Sequence, residues 1–155
     1  MLNSSLSYII IRSLPECILL IISSYILMNI KLDKIDILKK SILYLIILTL
    51  IRVLPINFGI HTVLSMFVLG TILYRLKGQD IINTILTISK IFICLAMSEG
   101  IYMVMANDVM GIPLKLLTDN TKIVSAMLTL PSLLIFFILV LIIKMLTNKI
   151  YKFYK

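Results

Sequence analysis

Five long apolar runs, each close to the roughly 20 residues that cross a bilayer core, take up most of this 155-residue chain. They cover about residues 6–30, 37–54, 60–76, 81–105 and 124–146. Inside each run the apolar residues are continuous rather than alternating, which argues against the dyad repeat of a membrane barrel and predicts helices. The expected fold is an all-α integral membrane bundle of about five transmembrane helices. It forms a single polytopic domain over 1–155, with no room for a soluble catalytic domain beside the spans. Composition agrees, at 61% hydrophobic and 14% charged residues with a mean hydropathy of +1.12.

The formal net charge of +8 is distributed unevenly. Lys31, Lys34, Lys39 and Lys40 fill one connection, Arg75 and Lys77 another, and Lys144, Lys149, Lys152 and Lys155 the tail. These are alternate connections, so the positive-inside rule predicts an N-terminus outside and a cytoplasmic C-terminus in a multi-pass cell-membrane protein. The other connections agree: 55–59 is uncharged, and 106–123 sets Asp108 and Asp119 against Lys115 and Lys122. The basic excess is thereby accounted for by the lipid bilayer, and no nucleic-acid partner is expected. A cleaved signal peptide is not expected, because no basic residue precedes Arg12 and no small-x-small pattern follows the first run.

Six ionisable residues, Arg12, Glu16, Arg52, His61, Lys90 and Glu99, lie in or at the edges of these runs. A charge in hydrocarbon costs at least ~2.5 kcal/mol, so such residues are functional candidates by default. In the predicted topology five of them, Arg12, Glu16, Arg52, His61 and Glu99, fall toward the outer side, where they form a nearly self-neutralising set suited to an extracellular ligand. Lys90 lies on the inner half of its run, where a lysine snorkels to headgroups. Nine residues separate it from Glu99, which puts the two on opposite helix faces.

Structural roles compete with the functional one at each position. In Ser13-Leu14-Pro15-Glu16, Ser13 can cap a helix beginning at Leu14 while Glu16 reaches back as in a capping box; alternatively the first span is continuous and Arg12 shares a face with Glu16. Arg52 precedes Leu54-Pro55, where a helix should end, and suits an interfacial anchor. His61 suits a hydrated helix start. Glu99 has the weakest structural explanation. Ala96 and Gly100 form one small-xxx-small step where helices could approach closely, and a homodimer is among the expected assemblies.

Recognisable catalytic chemistry is absent. The single histidine has no ligand-spaced histidine or cysteine near it, and no GxSxG, HExxH or phosphate-binding glycine loop occurs. Cys17 and Cys94 share no CxxC spacing and read as buried hydrophobes. Cys94 lies too deep in its run to meet His61 in a protease pair. The chain is expected to be a non-enzyme without cofactor or metal.

The segments Ile11-Arg12-Ser13-Leu14-Pro15-Glu16, Arg52-Val53-Leu54-Pro55-Ile56-Asn57-Phe58-Gly59-Ile60-His61-Thr62 and Leu130-Pro131-Ser132 resemble the membrane-embedded sensor half of clostridial histidine kinases of the agr-like, GHKL-ATPase type. The resemblance implies detection of an extracellular signal, often a peptide as in quorum sensing, and its relay through a cytoplasmic helix to a kinase. The departure is that neither a phosphoacceptor helix nor an ATP-binding module lies within the 155 residues. The basic tail is where a cytoplasmic kinase or other signalling partner would attach. A small transporter, or its substrate-binding subunit, is the competing expectation, since intramembrane charges also mark substrate pathways.

Overall fold

The computed structural model describes residues 9–53, 58–75, 80–117 and 123–153. Among them no strand occurs, and the all-α expectation is met. A π-turn over Ile9–Ser13 runs directly into α1, Leu14–Leu27. There follow α2, Lys34–Val53; α3, Phe58–Tyr74; α4, Ile81–Asp108; a single helical turn, Leu114–Leu117; and α5, Ile123–Phe153.

The shortest of the five helices is the centre of the bundle. Cys17, Leu20, Ile21, Ser23, Ser24 and Tyr25 of α1 are all buried, an arc of roughly 200° at 100° per residue, wider than the single apolar stripe of a helix at the edge. It packs against α2, α4 and α5, while α2, α3, α4 and α5 follow one another as neighbours around it. Its C-terminus is closed by Asn29 in the left-handed region at φ 56°, with Ile30 N–H bonded to Tyr25 O at 3.0 Å and Asn29 N–H to Ile26 O at 3.3 Å. That is the Schellman arrangement, with Asn in the place usually taken by glycine. Lys144 of α5 adds a cation to this negative helix end, donating to Asn29 Oδ1 at 2.5 Å and Leu27 O at 3.4 Å.

Two prolines shape the opposite end. A proline inside a helix cannot donate to the carbonyl four residues back, and its ring crowds that carbonyl. For Pro15 the carbonyl belongs to Ile11, the middle residue of the π-turn, so the helix widens where the proline would clash. Pro131 sits inside α5 and leaves Met127 O without that donor.

The bundle is inverted relative to a water-soluble one. Small hydroxyl residues such as Ser23, Ser24, Ser98 and Ser132 are buried, whereas Phe67, Ile82, Leu134 and Met145 are each about 70% exposed. Interiors of small and hydroxyl residues are a habit of helices packing in lipid. α4 and the Val124–Lys149 stretch of α5 are long and apolar enough to cross a membrane. α1 rises only ~21 Å at 1.5 Å per residue, and the apolar stretch Ile60–Tyr74 of α3 is also shorter.

The helix bounds differ from the apolar runs where local chemistry overrides hydropathy. The first run stops at Leu27 because Asn29 turns the chain, and the last continues to Phe153 because its lysines and threonine do not break a helix. Close helix approach occurs elsewhere than the small-xxx-small step. Ala96 and Gly100 are exposed, and a Cβ on Gly100 would meet nothing within 4 Å, whereas one on Gly70 would come within 3.0 Å of Ile88 Cδ1.

Candidate functional site

Arg12 joins three segments of the chain. It projects from the π-turn and is only 5% exposed. Its Nη1 donates to Thr129 O at 2.5 Å and to Ser132 Oγ at 3.0 Å, and its Nη2 to Glu99 Oε1 at 2.8 Å. Glu16 Oε2 lies 3.9 Å from Nε. The planar fork of a guanidinium suits it to binding several acceptors at once.

Two of these acceptors lie on α5 within one turn of its proline. Next to Met127 O, the carbonyls of Leu128 and Thr129 both take side-chain donors: Tyr102 OH donates to Leu128 O, and Arg12 to Thr129 O. Ser132 Oγ accepts from Arg12 and donates to Thr129 O at 2.8 Å. Glu99 and Tyr102 are three apart on α4 and so share a face, which aims both at the same turn of α5. The start of α1, the end of α4 and the beginning of α5 therefore meet at one end of the bundle, tied by charged and hydroxyl groups around two proline-perturbed turns.

Electrostatically, one buried guanidinium faces two carboxylates. The Glu16 side chain is 13% exposed and that of Glu99 39%, so the cluster is closed toward α1 and open along Glu99. Buried ion pairs are held together chiefly by the cost of separating them, since desolvation consumes much of the attraction. Such a site can hold a polar or charged group presented from the open side, with Glu99 as the accessible acceptor and Arg12 as the fixed cation behind it.

Of the five grouped residues, Arg12, Glu16 and Glu99 come together. The capping-box alternative does not hold, because Ser13 has helical φ −75° and ψ −31° and its side chain makes no capping bond. With the helix continuing through Ser13, Arg12 and Glu16 share a face. His61 lies in the first turns of α3, where its buried Nδ1 has no hydrogen-bond partner. Arg52 belongs to the last turn of α2, and its side chain lies outside the described residues. Lys90 is half-buried near Lys144, at the other end of the bundle.

Sequence reading missed Thr129, Ser132 and Tyr102 as members of the cluster. The available signal was a proline flanked by hydroxyl residues in an otherwise apolar helix. A second polar knot was also missed: Tyr25 OH donates to Asp36 Oδ2, and Lys40 Nζ donates to Asp36 Oδ2 at 2.5 Å and to Tyr25 OH at 2.7 Å. The Lys40 bond, then the Tyr25 bond, hold the Asp36 carboxyl below the usual carboxylate range.

Among the described residues no group of three His, Cys, Asp or Glu could hold a metal ion. Cys17 and Cys94 are buried and form no disulfide. No protein-family model, curated protein or solved structure matches this chain.

Proposed function

We propose that this chain is a multi-pass membrane signalling protein that recognises an extracellular ligand, such as a peptide, at the Arg12–Glu16–Glu99 cluster. The observation that supports it most is the buried Arg12, bridging α1, α4 and α5 with Glu99 left partly open beside it. A ligand group that competes for Glu99 or Arg12 would change how α1 and α5 are tied. α5 continues to Phe153 through Lys144 and Lys149, so it could carry the change toward a cytoplasmic kinase or other partner. The basic alternate connections support an N-terminus outside, and the resemblance of three short segments to clostridial sensor kinases fits that reading.

A transporter is the second reading. Proline-perturbed helices carrying charged groups are also how transporter sites are built, and here a π-turn at Pro15 and a helical Pro131 meet at Arg12. Reporter fusions at Lys40, Gly78 and Lys155 should all read cytoplasmic; an external signal at Lys155 would overturn the orientation. In cells, output in response to spent medium should need about tenfold or more ligand after Glu99→Gln, the scale of losing one partner of a buried charge pair, and be unchanged after Asp108→Asn. Solute uptake without such output would favour transport, and equal responses in both variants would remove Glu99 from the site.

A further inference from the structure

At the end of the bundle away from Arg12, an open groove of about 410 Å³ runs between α2 and α3. Lys40 and Arg75 line one end; Leu43, Ile47, Val68 and Ile72, with the hydroxyl residue Thr71, line the rest, and no carboxylate lines it among the described residues. The two helices are antiparallel and pinned by Tyr44 OH donating to Ser65 O at 3.3 Å, which brings the start of α2 and the end of α3 to the same level. The groove is therefore graded, cationic at the rim and apolar for the ~10 Å that seven residues of helix span.

We propose that this groove binds an anionic phospholipid of the surrounding bilayer, its phosphate between Lys40 and Arg75 and its acyl chains along Leu43, Ile47, Val68 and Ile72. Charge complementarity selects the occupant. A neutral hydrocarbon would leave Arg75 without a counter-charge among the groove's lining residues, and a soluble anion would leave its apolar floor unfilled. Lys40 is held in place by Asp36 and by the ring of Tyr25, 5.3 Å away, so its ammonium is positioned before a lipid arrives. Asp36 takes part of that charge, which makes Arg75 the larger contributor. The exposed Lys31, Lys34 and Lys39 add a positive surface that concentrates anionic lipid at this leaflet. The volume falls within the ~300–1,000 Å³ of small-molecule sites, room for a headgroup and the first part of the chains, the remainder lying in the bilayer. The proposal rests on the membrane reading and is independent of the ligand assigned to Arg12.

The chain has no tryptophan, so single reporters are unambiguous. Tyr74→Trp places a reporter at an exposed position next in sequence to the groove residue Arg75, and Leu134→Trp one on the exposed face of α5. The reconstituted protein is quenched with brominated phosphatidylglycerol or brominated phosphatidylcholine. At Tyr74→Trp phosphatidylglycerol should be preferred by about fivefold, the attraction of one basic residue at an anionic surface, and at Leu134→Trp not at all. Arg75→Gln, alone and with Lys40→Gln, should abolish the preference, whereas Lys31→Gln with Lys34→Gln, an equal loss of charge outside the groove, should keep it. Inorganic phosphate should not compete. Equal loss in both charge-removal pairs would replace the site by diffuse attraction and overturn the proposal, as would competition by phosphate. Absence of quenching at Leu134→Trp by either lipid would overturn the membrane reading itself.

Discussion

Replacing Arg12 with Gln should destabilise the bundle by about 3 kcal/mol, the lower end of what breaking a buried ion pair costs, because Glu99 is partly exposed. The loss is not confined to one contact. The guanidinium is removed at once from Thr129 O, Ser132 Oγ, Glu99 Oε1 and the neighbourhood of Glu16, and the shorter amide cannot span them. Ser132 Oγ still donates to Thr129 O at 2.8 Å, so the cost falls chiefly on Glu16 and Glu99, which lose their shared cation. Thermal unfolding in detergent, followed by helical circular dichroism, checks this. Asp108→Asn, at an exposed position whose carboxylate accepts from neighbouring Asn107, should change stability by less than ~0.5 kcal/mol.

Exchanging the charges of Arg12 and Glu16 should fail to rescue. Were the two residues simply an i, i+4 pair, Arg12→Glu with Glu16→Arg would restore it with reversed polarity. The geometry predicts the opposite, because the main partners of position 12 are on α4 and α5. A carboxylate there would face the Thr129 carbonyl and the carboxylate of Glu99, a repulsion of up to about 4 kcal/mol for unit charges 4 Å apart at an effective dielectric of 20. The double variant should therefore be less stable than Arg12→Gln and should not respond to ligand. Stability or response restored to near that of the parent would show that Glu16, at 3.9 Å, is the dominant partner after all.

These expectations depend on features of unequal legibility in the sequence. The helical class and the existence of five helices follow from uninterrupted apolar runs, because hydrocarbon leaves backbone groups no partners but one another. The ends of the helices do not follow from hydropathy: Asn29 stops α1 through a left-handed turn, and lysines let α5 continue past its apolar stretch. Glu99 stands out in the sequence because a carboxylate amid Leu, Ala and Met has no local explanation. Its connection to Arg12 spans 87 residues, and no periodicity encodes which helices are neighbours. Ser13 misleads for a different reason. Its spacing to Glu16 has the form of a capping box, but Pro15 resolves its clash with Ile11 by widening the preceding turn rather than by starting a helix. Thr129 acts through its backbone oxygen, a group every residue carries, and only Pro131 nearby hints that this carbonyl is used.

The most direct test of the account is a double-mutant cycle on thermal stability combining Arg12→Gln with Glu99→Gln, run beside the same cycle with Glu16→Gln. A hydrogen-bonded pair at 2.8 Å should show coupling of about 1–3 kcal/mol, and the 3.9 Å pair distinctly less. No coupling between Arg12 and Glu99, or stronger coupling to Glu16, would contradict the claim that Arg12 ties α1 to α4 at the site.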